Sequence, residues 1–415
     1  MHTTRRGATL IGPMSEDSLV YNPFQAGFTD DPYPHLREMR ESDPVHRNPL
    51  GIWMLFRYDD VARMLRDPSL SVEDAKAVPT AAMEAARQSM GEVADMGTNS
   101  MLNRDPPDHT RLRRLVAKAF TPRMIDRLRP RIEQLVDTAL DAAGPEWDLI
   151  DGLAFPLPFQ VISELLGTPP IDSARLRDWS GTVVRSLEPV NDPEMVQAIA
   201  EAGRHIRELV SDILEWKRQH PADDLLTALI AAEEEGDKLS PRELAEQVSL
   251  LYLAGHETTV NLIGNGTLAL LRHPDDLRQL ALEPELGATV DELLRYDSPV
   301  QNSRRITLEA LEVGGRRLEA GSYVVLALSS ANRDPDKWGP TAERLDLRRT
   351  GASHHLSFGG GHHHCLGSHL ARMEAEVAIG KLIRRFPSLE LGDEPVWNGR
   401  INLRGLRRLT VRTGA

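Results

Sequence analysis

Cysteine is nearly absent: 415 residues hold one, Cys365, so no disulfide can form within the chain. That excludes a disulfide-stapled scaffold and suits a reducing cytoplasm. Aromatic residues are only 5% of the chain, and no apolar run approaches the ~18 residues of a membrane span, so no membrane partner is expected. Positive charge is outweighed, 49 Lys and Arg against 62 Asp and Glu for a net −13, which argues against bulk nucleic-acid affinity. There is no internal repeat and no low-complexity linker. Met1 to Ser15 carries Arg5-Arg6 without a long apolar core behind it, so residues 1–15 are expected to be a disordered leader, not a signal peptide. That leaves 16–415 as one domain.

The lone cysteine sits in the densest local pattern of the chain, His354-His355-Leu356-Ser357-Phe358-Gly359-Gly360-Gly361-His362-His363-His364-Cys365-Leu366-Gly367. Three consecutive glycines give backbone freedom and let a chain pass close to a flat ligand. Ser368 to Phe386 follows as a helix, with Leu366, Leu370, Met373 and Val377 at three-to-four spacing, and Pro387 ends it. A cysteine just before a helix N-terminus lies in the positive end of the dipole, which is expected to lower its pKa toward the metal-binding thiolate. Two other readings compete here. A lone cysteine commonly packs as a small apolar residue, and His354, His355, His362, His363, His364 and His369 could hold zinc with it.

Ser240-Pro241-Arg242-Glu243 is a capping box with proline at the first helical position. The pattern runs to Arg272, about 33 residues or roughly 50 Å. In its middle lies Ala254-Gly255-His256-Glu257-Thr258-Thr259. A mid-helix glycine costs about 1 kcal/mol relative to alanine, and hydroxyls can divert backbone bonds. A local opening of the helix is therefore expected there. An acid beside a hydroxyl can pass protons.

Earlier in the chain, Asp105 to about Phe120 reads as a helix on which His109 and Arg113 share a face. Arg111, Arg114 and Lys118 make a second basic stripe, commonly just a solvated face. Residues 75–103 read as an irregular loop packed by Met83, Met90, Met96 and Met101. Amphipathic helices are expected over 33–40, 58–66, 122–142, 157–166, 173–187, 193–219 and 224–235. Strands are expected at 52–56, 306–308, 311–313 and 323–327. Glu292 and Arg295, three apart in a helical stretch, could be an ordinary surface pair.

Taken together, Phe358, Gly359, Gly361, His363, Cys365 and Gly367 resemble the signature of the cytochrome P-450 family. Ala254 to Thr259 resembles its oxygen-binding motif, and Glu292-Leu293-Leu294-Arg295 its Glu-x-x-Arg element. The resemblance spans Asp31 to the C-terminus. It implies a mainly α fold of triangular-prism shape with a small antiparallel β-region, and haem between the long helix and the Cys-loop helix. It implies haem b (iron protoporphyrin IX) with Cys365 as axial ligand. Propionates would be held by His109, Arg113 and Arg305, and further haem contacts would come from His363, Ala254, Gly255, Met101, Leu102, Phe358, Gly359 and Gly367.

By the same resemblance Thr258 would hold dioxygen and Glu257 would relay protons to it, with His256 in a variable position. Arg344 would complete a cluster with Glu292 and Arg295, although Leu345 replaces the usual Phe beside it and Ala342 a common Pro. Leu250, Leu253, Val300, Gln301, Asn302 and Ile401 would line the substrate pocket, reached by a turn at Arg400-Ile401-Asn402. Residues 75–103 would form the mobile cover of the pocket.

The implied activity is monooxygenation, hydroxylation or epoxidation, of a partly oxygenated hydrophobe such as a polyketide, terpenoid or steroid. The implied protein is a monomer. Electrons would come from NAD(P)H through a ferredoxin and its reductase, docking on the Arg111/Arg114/Lys118 side. A peroxide-driven peroxygenase is the rival enzyme; such relatives usually lack the acid–Thr pair. A haem sensor or carrier would have no use for a proton relay. Zinc does not explain Ala254 to Thr259, Glu292–Arg295 and His109–Arg113 together.

Overall fold

The computed structural model describes residues 20–190, 192–231, 233–234, 237–282 and 286–414; the expected leader, 1–15, lies outside them. Helices dominate, and the one that organises them is Pro241–Leu271, 31 residues and so about 47 Å long. Its capping box forms as the sequence indicates: Ser240 accepts from the Glu243 N–H, and the Glu243 carboxylate accepts from the Ser240 N–H. From Thr259 to Leu270 every residue is buried, so this half passes through the core with no solvent face. That is why its pattern is apolar all round instead of striped.

The helix Ser368–Arg385 and the helix Pro156–Leu166 pack on it. One large cluster of buried side chains joins these to Arg129–Asp141, Pro193–Gln219 and Gly287–Tyr296. The helices Tyr58–Arg66 and Pro193–Gln219 keep the limits read from sequence. The stretch 122–142 instead breaks into Pro122–Asp126 and Arg129–Asp141, with Pro130 in the first turn of the second piece.

A five-stranded sheet lies beside the helices in the order Val45–Arg47, Trp53–Leu55, Tyr323–Ala327, Asn302–Thr307, Leu70–Ser71. Its pairings are antiparallel except Tyr323–Ala327 with Trp53–Leu55, which is parallel. Asn302–Thr307 begins four residues before the expected 306, so Arg305 lies inside a strand and is buried. Leu311–Val313 does not join this sheet; it forms its own hairpin with Arg316–Leu318 across Gly314-Gly315.

Two expectations are corrected. Residues 75–103 are not one irregular loop: Ala81–Met90 is an α-helix, with short 3-10 turns at Asp74–Lys76, Gly91–Asp95 and Met101–Asn103. Thr80 caps the helix by accepting from the Met83 N–H, and an alanine-rich run needs little more. None of its residues is buried. The long helix also does not open at Gly255. It is continuous, because Thr258 and Thr259 donate to the carbonyls of Ala254 (2.7 Å) and Gly255 (3.1 Å) one turn back without displacing the backbone ladder.

Candidate active site

The Cys loop is a sequence of tight turns. Gly359 N–H donates to Leu356 O (2.8 Å), His364 N–H to Gly361 O (3.1 Å) and Cys365 N–H to Phe358 O (2.9 Å). Gly359 and Gly361 have φ of +70° and +67°, where a side chain would strain the backbone. A Cβ on Gly361 would also lie 2.6 Å from Leu65 O, so the loop is pressed onto the end of the helix Tyr58–Arg66. At Gly367, by contrast, a Cβ would meet nothing within 4 Å. The Cys365 thiol is exposed on this open face.

The expected lowering of the Cys365 pKa is not what the structure shows. Protein packed around the thiol disfavours the charged form and raises the pKa, although the backbone N–H groups of Gly367 and Ser368, Arg113 and Arg372 all pull the other way. A cation bound at the sulfur would favour the thiolate.

Next to the loop, three histidine rings crowd together. His109 lies 4.2 Å from His363 and 5.2 Å from His362, centroid to centroid. Burial holds the pKa of His109 down to about 4 and that of His363 to about 2, so both are neutral at pH 7. Both ring nitrogens of His109, and Nε2 of His363, are buried without a hydrogen-bond partner among the described residues. Arg113 donates to His364 O (2.7 Å), and buried Arg305 donates to Leu65 O (2.9 Å) and Arg304 O (2.7 Å). Burial and neighbouring Arg304 lower the Arg305 pKa to about 10, still leaving it cationic at pH 7.

The structure thus gathers His109, Arg113, Arg305 and His363 around one spot, with unsatisfied nitrogens beside two guanidinium groups. That donor set fits carboxylates of a flat ligand. Beyond it, Met101 is buried and donates its N–H to Gln247 Oε1 (3.1 Å), while Leu102 is 47% exposed, an apolar side chain left uncovered.

The histidines do not make a zinc site. His355 pairs with Asp291 (3.3 Å) and His369 with Asp126 (2.8 Å), and no three metal-binding side chains converge among the described residues.

Behind the loop, Glu292 and Arg295 are both fully buried and bonded through two atoms each, at 2.6 and 2.8 Å. Arg295 also donates to the carbonyls of Asn332, Ala342 and Arg344. Arg344 contributes only that carbonyl; its side chain is exposed. The third member of the cluster is Arg349, whose Nε lies 3.1 and 3.2 Å from the two Glu292 oxygens. Sequence reasoning missed it: Arg344, Arg348 and Arg349 stand close together, and only the path of the chain through Asp346, whose N–H donates to Glu292 (2.8 Å), brings Arg349 inward. This cluster is anchored to the Cys loop by Ser357 Oγ donating to Leu294 O (2.7 Å) and by Arg372 and His355 on Asp291.

On the opposite side, Ala254, Gly255, Glu257 and Thr258 lie mid-way along the long helix. Ala254 is exposed in the middle of a helix otherwise mostly covered. Glu257 is ion-paired with Arg400, both largely buried. His256 points the other way, its ring edge-on to Phe155 (4.7 Å), with its pKa lowered by burial to about 4.

Of the expected pocket residues, Val300, Gln301, Asn302 and Ile401 do come together. Val300 bridges Leu403, Gln301 N–H donates to Asn402 O (2.9 Å), and Asn302 N–H to Asn402 Oδ1 (3.2 Å). Gln301 is buried with its amide on Ser298 O (2.7 Å). Leu253 lines a small buried space with Phe159, Ile206, Val210 and His256. Leu250 is half-buried against the main core. In the basic stripe, Arg111 pairs with Glu243 of the capping box, and the side chains of Arg114 and Lys118 reach the surface.

The structure thus sets an exposed cysteine at the end of a glycine-turned loop, next to a corner of unpartnered imidazole nitrogens and guanidinium groups. Residues 191–400 match the family model described as Cytochrome P450. The chain is 42% identical over 405 residues to Cytochrome P450 107B1 of Saccharopolyspora erythraea, covering 94% of this chain and 97% of that one. It is 42% identical over 403 residues to the Vitamin D(3) 25-hydroxylase of Pseudonocardia autotrophica, covering 94% and 96%. The solved structure of the bacillaene polyketide synthase cytochrome P450 PksS of Bacillus subtilis superposes with a TM-score of 0.85 at 37% identity, over 95% of this chain and 100% of that chain.

The chain belongs to the cytochrome P450 family and is a monooxygenase. The family implies a thiolate-held haem iron and dioxygen, and Cys365 is the only cysteine available to it. The unpartnered nitrogens of His109 and His363, the open face at Gly367 and the exposed thiol fit such a group.

Proposed function

We propose that the enzyme hydroxylates a C–H bond, or epoxidises an alkene, of a bulky and partly oxygenated hydrophobe, a polyketide, terpenoid or steroid. Electrons arrive from NAD(P)H through a ferredoxin and its reductase. The observation that carries this reading is the Glu257–Thr258 pair on an unbroken helix: an acid that keeps 15% of its side-chain surface beside a hydroxyl, which a reductant-driven oxygenase needs and a peroxide-driven one does not. Relatives named for vitamin D(3) and for a polyketide synthase support a large substrate.

When bound, the haem supplies dioxygen activation, and a thiolate ligand favours O–O cleavage. The chain's residues do the rest. Cys365 would hold the iron, with its loop fixed by the glycine turns. His109, Arg113, Arg305 and His363 would take the propionates; Phe358, Gly359, Gly367, Met101, Leu102, Ala254 and Gly255 would shape the surfaces on either side. Thr258 Oγ would hold a proton on the oxygen-binding side of the site, and Glu257 would replenish it from solvent. Leu250, Leu253, Val300, Gln301, Asn302 and Ile401 would bound the substrate. Because the Gln301 amide is already bonded to Ser298 O, Asn302 is the better candidate for a polar substrate contact. Ferredoxin docking would rest on the Arg111, Arg114 and Lys118 side of the helix Asp108–Ala119.

The test has two stages. The reduced, carbon-monoxide-bound protein should show the strongly red-shifted Soret band of thiolate ligation, and Cys365→Ser should lose it. Turnover with reduced ferredoxin should then exceed turnover with peroxide alone; the reverse result establishes the peroxygenase.

A further inference from the structure

The turn between Asn398 and Leu403 touches three walls at once, by two different kinds of bond. Toward 299–302 it is stitched by backbone: Arg404 N–H donates to Pro299 O (2.9 Å), Gln301 N–H to Asn402 O (2.9 Å), and Val300 bridges Leu403. Toward the end of the helix Ser173–Val183 and the 3-10 turn Val184–Leu187 after it, no strand pairing holds it. There the bonds are charge-assisted and made by side chains. The Glu188 carboxylate accepts from three consecutive backbone N–H groups, Ile401 (2.8 Å), Asn402 (3.0 and 3.1 Å) and Leu403 (3.3 Å). Arg400 donates to Gly181 O (3.1 Å) and, through its other terminal nitrogen, to the Glu257 carboxylate.

Consecutive N–H groups converging on one carboxylate form an anion cradle. Bonds of this kind are strong while closed, yet they can part without unfolding any strand. The seam between 181–188 and the turn is therefore the place where these walls can separate. Arg400 spans that seam and ends on the acid of the long helix. Residues 181 and 188 cannot leave the turn without loosening the guanidinium that fixes Glu257. No hydrogen bond joins Glu257 to Thr258, whose hydroxyl donates to Ala254 O (2.7 Å), so the carboxylate's orientation is set by Arg400.

We propose that Glu188 and Arg400 form a clasp that couples closure of the substrate chamber to placement of the Glu257 carboxylate, with Arg400 the positioning residue. This rests on Glu257 serving as the proton relay. The clasp makes proton delivery conditional: a chamber held open leaves the acid unplaced, and electrons then drain to peroxide instead of product.

The experiment uses the haem-loaded enzyme with a surrogate ferredoxin and reductase. The probe is whichever of a panel of macrolactones, steroids and vitamin D3 gives the wild type its largest low-to-high-spin shift. Product and peroxide per NAD(P)H are measured for Arg400→Gln, Arg400→Lys, Glu188→Gln and Glu257→Gln, after checking that each keeps the red-shifted carbon-monoxide band. Arg400→Gln is expected to lower product per NAD(P)H at least threefold while the maximal spin shift persists, with Arg400→Lys recovering much of the loss. Glu188→Gln is expected to weaken probe binding several-fold and to lower coupling with it. Normal or improved coupling in Arg400→Gln, beside an uncoupled Glu257→Gln, overturns the clasp and leaves the relay standing. Normal coupling in Glu257→Gln overturns the relay itself, and the clasp with it. Should Arg400→Gln fail to fold, Glu188→Gln decides: tighter or unchanged coupling overturns the proposal.

Discussion

Two buried arginine–glutamate pairs, one bonded to the segment behind the Cys loop and one on the long helix, differ in their surroundings. Arg295–Glu292, behind the Cys loop, has no exposed surface on either side chain and is saturated: Arg295 reaches three backbone carbonyls, and Glu292 also takes Arg349 and the Asp346 N–H. Arg400–Glu257, on the long helix, keeps 11% and 15% of its side-chain surface, and its guanidinium makes one further bond, to Gly181 O. A saturated pair in a dry interior has one arrangement, since any movement strands a charge. A sparse pair at the edge of water can part and re-form. The first kind suits a scaffold that fixes the Cys loop, the second a group that must take up and release protons.

The largest expected effect breaks the saturated pair. Glu292→Ala leaves Arg295 and Arg349 buried without their carboxylate, which should cost roughly 3–5 kcal/mol. Urea unfolding of the purified protein, or its failure to accumulate in folded form, measures this. A midpoint close to wild type would mean that the two pairs are equivalent after all.

Within the same cluster, Arg349→Ala should cost roughly 3 kcal/mol, whereas Arg344→Ala, at an exposed side chain, should stay within about 0.5 kcal/mol. The same denaturation curves decide between the two arginines. On the long helix, Thr258→Ala should leave stability nearly unchanged while raising peroxide per NAD(P)H several-fold. Unchanged coupling would take Thr258 out of the relay.

A pH-dependent effect concerns His256, on the side of the long helix turned toward Phe155. Its folded pKa, about 4, is below the ordinary value of 6.5, because burial disfavours the imidazolium. The unfolded chain therefore binds the extra proton first, and stability is lost as pH falls from about 6.5 toward 4. Each pH unit inside that window costs up to about 1.4 kcal/mol. His256→Leu should flatten this part of the pH–stability curve, read from thermal melts at pH 7.5 and 5; a slope equal to wild type would place the acid sensitivity elsewhere.

Much of this architecture was legible because its causes are local. Ser240, Pro241 and Glu243 start the long helix by bonds within four residues, and Pro193 through Gln219 carries an uninterrupted amphipathic stripe. The Gly-rich turns before Cys365 depend on backbone freedom that is written residue by residue. The helix Ala81–Met90 was missed for the opposite reason: its methionines drew attention, while Thr80 and the alanines decided the outcome.

What the sequence by itself determined is therefore the helical frame, the Cys loop, the Glu257–Thr258 pair and the Glu292–Arg295 spacing. Tertiary structure alone decided that Arg349 and not Arg344 closes the buried cluster, that His109 and His363 crowd together beside Arg113 and Arg305, and that Glu188 and Arg400 meet across a seam. Each of these depends on which distant groups share one low-dielectric space. Glu188 and Ile401 are 213 positions apart, and Arg400 and Glu257 are 143 apart. No local rule of propensity or spacing reaches across such distances; only the packed chain fixes which charges must satisfy one another.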